Sequence, residues 1–164
     1  MNKEQIEIFL SKYINGADIL INKYNSLKNN KNILIFRPFE NAWTIKEHII
    51  HIVDGDINAY IRLNCVLAES GKSVMLIDEE KWTENLFYHN QSVEDYLQVF
   101  ELLRKIVSNK LKSIKDDVWE RNHIIHPTLG KVTLFDWLRG YSTHLEEHIN
   151  YIERNEKLWL ENKN

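Results

Sequence analysis

Four stretches of the chain repeat their apolar residues at three- and four-residue intervals, the period of a helix with one buried face. Between Glu4 and Tyr24 the stripe is Ile6, Phe9, Leu10, Tyr13, Ala17, Leu20 and Tyr24. A second runs through Ile45, Ile49, Ile52, Ala59, Tyr60, Leu63 and Leu67; it opens on Thr44-x-x-Glu47 and closes near Ser70-Gly71. In that opening the hydroxyl and the carboxylate can each satisfy a backbone amide left over at a helix start. A third begins at Ser92 and follows Tyr96, Leu97, Phe100, Leu103, Val107 and Leu111. The fourth starts on Thr133-x-x-Asp136, with Val132 placed to pack on Trp137, and continues through Leu138, Tyr141, Leu145, Ile149 and Ile152 to about Asn155. The run Asn29 to Asn32 and the Arg37-Pro38-Phe39 segment interrupt the period. Residues 72–90 read as a polar connector with one short turn at Asp78 to Trp82, and His126-Pro127-Thr128-Leu129-Gly130 reads as a turn. The pattern predicts an all-α protein, an antiparallel four-helix bundle with long connections after the first and second helices, in one domain over residues 1–164.

Composition narrows this mainly by exclusion. Twenty-one Lys and Arg against twenty-four Asp and Glu give a net charge of −3, which offers no electrostatic footprint for nucleic acid or an anionic membrane. The single cysteine, Cys65, rules out an intramolecular disulfide or a thiolate cluster and reads as a packed thiol. No apolar run approaches the roughly 18 residues of a spanning helix. The first residues have acidic groups inside their apolar stretch and no small-residue cleavage site, so a cytoplasmic protein is expected. Five Trp and seven His stand out, and the histidines are where chemistry could lie.

His144 and His148 are four apart in the fourth helix and stack on one face, where two imidazoles can share a cation. On an ideal wheel His148 lies roughly 30° and His144 roughly 70° from the centre of the buried stripe. The pair is therefore either a set of hydrogen-bonded boundary histidines or half of a metal site. A third imidazole from the second helix, in Glu47-His48-Ile49-Ile50-His51, would complete a site with open positions, as catalytic metals have. By phase His48 lies nearer the apolar edge than His51; a second buried edge of the same helix could take His51. Glu47 reads as a capping residue, Glu147 as a surface residue, and His89 and His123 as surface histidines.

Trp43-Thr44-x-x-Glu47-x-x-x-His51-x-x-Asp54, followed by Asn58-Ala59-Tyr60-Ile61-Arg62, resembles the second helix of the DinB-like superfamily. His126-Pro127-x-x-Gly130, Thr133-Leu134 and Tyr141-x-x-His144-x-x-x-His148-Ile149 resemble that family's final segment, so the likeness spans roughly residues 36 to 155. The resemblance implies a four-helix bundle with crossover connections, and a divalent metal held by His51, His144 and His148. It gives His48 no ligand role. Asp54 could orient an imidazole or face solvent, a ligand or base role for Asp56 is open, and His126 could line the mouth of the site. No catalytic residue is assigned.

Three neutral imidazoles leave a cation's charge uncompensated, so water or a thiol beside it would lose its proton near neutral pH. Hydrolysis and thiol transfer both follow from that. The resemblance favours an S-transferase using bacillithiol or a similar low-molecular-weight thiol, with the general family label of metal-dependent hydrolase beside it. Imidazole ligands suit Zn, Ni, Fe or Mn alike. The expected partner is a small-molecule substrate, with a homodimer implied by the family. The competing class is a non-enzymatic helical bundle that binds a partner, its metal structural or absent.

Overall fold

Each of the four stripes folds as one helix in the computed structural model, which describes residues 3–163. They are α1 (Lys3–Leu27), α3 (Ile45–Ala68), α5 (Val93–Lys112) and α7 (Leu134–Glu161), with short α2 (Lys31–Leu34), α4 (Glu79–Asn85) and α6 (Val118–Arg121) between them. The starts are as the sequence predicts: Thr44 and Glu47 form a reciprocal capping box, Thr133 and Asp136 form another, and the Ser92 hydroxyl accepts from the Asp95 amide. α7 runs six residues beyond Asn155, because Asn155 is itself buried and donates to the Trp43 carbonyl at 2.8 Å.

The connectors hold more structure than their polarity predicts. Asp78 caps α4, and a 3-10 turn covers Tyr88–Asn90. The segment before α7 is a hairpin of β1 (His123–His126) and β2 (Gly130–Thr133), pairing His123 with Thr133 and His126 with Gly130. Gly130 has φ +69°, a left-handed conformation that glycine adopts without Cβ strain. Residues 71–74 run beside β1, where Val74 N donates to the Ile125 carbonyl at 3.1 Å.

Side-chain contacts fix the bundle's topology. α3 and α7 are antiparallel, since His48 meets His148, His51 meets His144 and Arg62 meets Tyr141. α1 and α5 are antiparallel through Tyr24 with Glu94 and Tyr13 with Arg104. α1 and α7 are parallel, with Lys12 on Glu146 and Lys23 on Glu156, as are α3 and α5, with Asp56 on Arg104 and Asn64 on Lys110. Consecutive α3 and α5 therefore point the same way, and the connector between them must travel the length of the bundle. Residues 69–92 are thus the long connection expected after the second of the predicted helices.

The core falls into two apolar clusters. One gathers Leu20, Ile49, Ile52, Phe100 and Leu145; the other gathers Tyr13, Leu63, Val107, Trp137 and Leu138. The buried Asp56–Arg104 ion pair bridges α3 and α5, and the Arg104 guanidinium also lies 3.8 Å from the centre of the Tyr13 ring.

Candidate metal centre

The first turns of α3 are enclosed on nearly every side. Seven consecutive residues, Glu47 to Val53, are buried, so both phases of the helix face protein and the wheel does not choose between His48 and His51. Each meets α7. His48 Nδ1 lies 2.9 Å from His148 Nδ1, and His51 Nε2 lies 3.1 Å from His144 Nε2. A step of three on α3 matches a step of four on the antiparallel α7, which sets four imidazoles in a two-by-two array. Trp43, just before the α3 cap, lays its indole on this array, 4.8 Å from the His51 ring, 5.5 Å from His48 and 6.0 Å from His148. Gly55, one turn past His51, leaves room for the His144 ring: a Cβ there would sit 3.3 Å from His144 Cε1.

His51, His144 and His148 each offer a nitrogen, and the three lie within 4.8 Å of one another. Burial, aided by neighbouring positive charge, lowers the ring pKa values to about 3 for His51, 4 for His144 and 2 for His148. All three rings are therefore neutral near pH 7 and keep a lone pair for a cation, which is what metal ligation requires. Two nitrogens each about 2.0–2.1 Å from one cation lie about 3.0–3.4 Å apart, so the 3.1 Å between His51 and His144 fits a shared ion. His48, lowered to about 4 chiefly by burial, engages Nδ1 of His148 and leaves that ring's Nε2 as its free nitrogen. His48 Nε2 is buried with no hydrogen-bond partner, which a neutral lone pair tolerates and a charged ring does not.

Two cavities reach the array, one from each direction along the α3–α7 seam. The first, about 330 Å³, is lined by His51, Asp54, Asn58, Arg62, His126 and His144 among polar groups. Its apolar wall includes Leu76, Ile77, Trp82, Leu129, Val132 and Trp137. The second, about 560 Å³ and wider open, is lined by Trp43, His48, His148, Glu147, Tyr151 and Arg154. His144 and Glu79 line both.

The remaining sequence candidates separate. His126 reaches the first cavity from β1, its Nδ1 held by the Thr128 and Leu129 amides at 3.3 Å. Asp54 lines the same cavity but accepts from the Tyr88 hydroxyl at 2.7 Å, so it orients no imidazole and is not simply solvated. Asp56 is not at the site. It points between α1, α3 and α5, where Arg104 binds both its oxygens. Burial raises its pKa while the guanidinium and the Tyr13 hydroxyl pull it back. Glu47 caps α3 and pairs with Arg37 at 2.8 Å.

Glu79 and Arg62 carry no role in the sequence reading. Glu79 sits at the start of α4 with Oε2 3.8 Å from His51 Nε2, and burial raises its pKa. Nothing in the polar 72–90 stretch distinguishes it. Arg62 did have a signal: Asn58 and Arg62 lie seven and eleven residues after His51, within about 20° of it on a helical wheel.

Several known proteins resemble this chain. Residues 30–152 match the family model of the DinB superfamily. A protein of Oceanobacillus iheyensis named "putative metal-dependent hydrolase" is 28% identical over 153 residues, covering 91% of this chain and 87% of that protein. One of Bacillus cereus with the same name is 31% identical over 111 residues, covering 68% of this chain and 63% of its own length. The solved structure of YfiT from Bacillus subtilis, titled "a probable metal-dependent hydrolase with an unusual four-helix bundle topology", superposes with a TM-score of 0.87 over 96% of this chain and 89% of its own, at 22% identity.

Proposed function

The chain belongs to the DinB superfamily, and on that premise we propose that it is an enzyme whose His51, His144 and His148 hold one divalent transition metal beside a substrate cavity. The observation that carries this is the convergence of three neutral imidazole nitrogens, from two helices, within 4.8 Å where two cavities meet. A cation bound there would supply Lewis-acid activation of water or a thiol. The chain's own groups do the rest. His48 holds the His148 ring through Nδ1, and Trp43 packs its indole against the array where the second cavity reaches it. Glu79, at the junction of the cavities, is the carboxylate placed to take up a proton from the nucleophile, and its raised pKa suits it to hold one. Imidazole donors accept Zn, Ni, Fe or Mn alike.

Two reactions fit. Hydrolysis, the activity in the relatives' names, needs one organic substrate and uses the first cavity. Transfer of a low-molecular-weight thiol, bacillithiol or one like it, needs two. The second cavity, which shares His144 and Glu79 with the first, supports that reading by giving a cosubstrate its own place.

Protein purified without an affinity tag is expected to carry about one equivalent of metal per chain, and chelation should lower its melting temperature. In His144→Ala the metal should be lost. A metal-free protein whose melting point ignores added Zn, Ni, Fe and Mn would end the proposal. Turnover of electrophiles only when bacillithiol is present supports transfer, whereas thiol-independent cleavage of esters or amides supports hydrolysis.

A further inference from the structure

The first cavity is lined by one guanidinium, Arg62, that makes no direct ion pair among the described residues, although its charge reaches Glu79 through space. Arg62 donates from one terminal nitrogen to the Tyr141 hydroxyl at 3.1 Å and from the other to the Met75 carbonyl at 2.9 Å. Both partners are neutral. Among the described residues none of its nitrogens pairs with an acidic side chain, although three acids line the same cavity. Two of those acids are engaged elsewhere, Asp54 accepting from the Tyr88 hydroxyl at 2.7 Å and Asp136 from Arg139 at 2.9 Å, while Glu79 feels the Arg62 charge without a direct contact. A guanidinium has five donors, and two neutral acceptors leave most of them free. A partly buried cation with spare donors in a mostly apolar cavity is costly unless an anion completes it.

Resting on the metalloenzyme reading for its site, we propose that Arg62 is the substrate anchor of the first cavity, and that the substrate class is an amphipathic carboxylate. Its anionic head pairs with Arg62, with the Asn58 amide beside it, and its apolar body lies against Leu76, Ile77, Leu129, Val132, Trp82 and Trp137. Asn58 donates one amide hydrogen to the Asp54 carbonyl at 2.9 Å, which leaves the second for the anionic head. Because Arg62 lies three turns along α3 from His51, on the same face, the anchored end sits at one end of the cavity and the metal-ligand histidines His51 and His144 at the other. The reacting group is then carried several bonds from the carboxylate. The volume of about 330 Å³ is at the lower end for organic ligands, so the substrate is small. Tyr141 positions the guanidinium through its hydroxyl.

The test uses octanoate and octanamide, which differ in charge and little in shape. Isothermal titration is run on the full chain as purified and again after chelation, since a bound metal could itself attract a carboxylate. Octanoate is expected to bind at least about ten-fold more tightly than octanamide in both states, as a charge-assisted pair requires. Arg62→Gln should bring the two ligands to within about two-fold, and Arg62→Lys should keep part of the preference. Equal binding of the two ligands by the unaltered chelated chain overturns the proposal, and that arm needs no variant. So does an Arg62→Gln protein that melts normally and still prefers octanoate. A chain that takes up no metal but prefers octanoate through Arg62 retains the anchor while the metalloenzyme reading falls. A metal-binding chain without the preference does the reverse.

Discussion

His48 and Asp56 show how little a residue type says before its neighbours are known. The two are eight apart on α3 and both enclosed, yet one meets a ring of the candidate metal centre on α7 and the other, about 80° round the helix, closes an ion pair with α5. His48→Phe fills the same space without the Nδ1 contact. Competition with a chelator should show metal affinity lowered by about 10–100-fold, with the fold intact, as expected when a ligand loses its orienting partner. Unchanged affinity would make His48 a packing residue only. Asp56→Ala leaves the Arg104 guanidinium charged in the core, and denaturant titration should show a loss of about 3–5 kcal/mol. Removing both charges in Asp56→Ala/Arg104→Leu should recover most of that loss, because the desolvation cost of the lone cation disappears. If Asp56 were a ligand, its substitution would strip metal from still-folded protein, and the prediction is that it does not.

At the scale of elements, the caps and the hairpin are what place the site. Thr44 ends the irregular segment that carries Trp43 and starts the helix that carries His48 about one turn later and His51 about two, so the cap fixes the indole relative to the imidazoles. Thr133 does the same between β2 and α7. Thr44→Ala and Thr133→Ala should each cost about 1 kcal/mol in denaturant titrations. Only the Thr44 change should also weaken metal binding, since its loosened segment covers the array. These caps were legible because S/T-x-x-D/E is a local signal that needs no tertiary partner. The hairpin shows in the sequence only as a turn, since His123 to His126 is too short for alternation to stand out against its neighbours. Its strand is completed by pairing with β2 and with residues 71–74, which are remote in sequence.

For the whole molecule, the cluster of neutral histidines couples folding to pH. Burial sets the folded pKa values of His48, His51, His144 and His148 at about 4, 3, 4 and 2, below the roughly 6.5 of an unfolded chain. Between those values the unfolded chain takes up protons that the folded, metal-free chain refuses. Stability is then full above about pH 6.5 and falls as the pH drops toward 4. Thermal unfolding of chelated protein should follow that decline, and a His51→Gln/His148→Gln variant should decline less steeply. An equal slope in the variant would assign the acid sensitivity to other groups. No described helix is long and apolar enough to cross a membrane.

The sequence by itself determined the four long helices, their start signals and the pair His144 and His148, because these depend on periodicity and on contacts within a turn or two. It also supplied the family likeness. The choice of histidines on α3 was not in the phase, since the first turns of that helix are buried all round and a wheel assumes a single buried face. Tertiary structure decided that His51 meets His144 while His48 meets His148, that Asp56 turns away to Arg104, and that α4 brings Glu79 to the junction of two cavities. Those outcomes depend on the direction and register of helices joined by connectors of twenty residues or so, and local pattern carries no information about either.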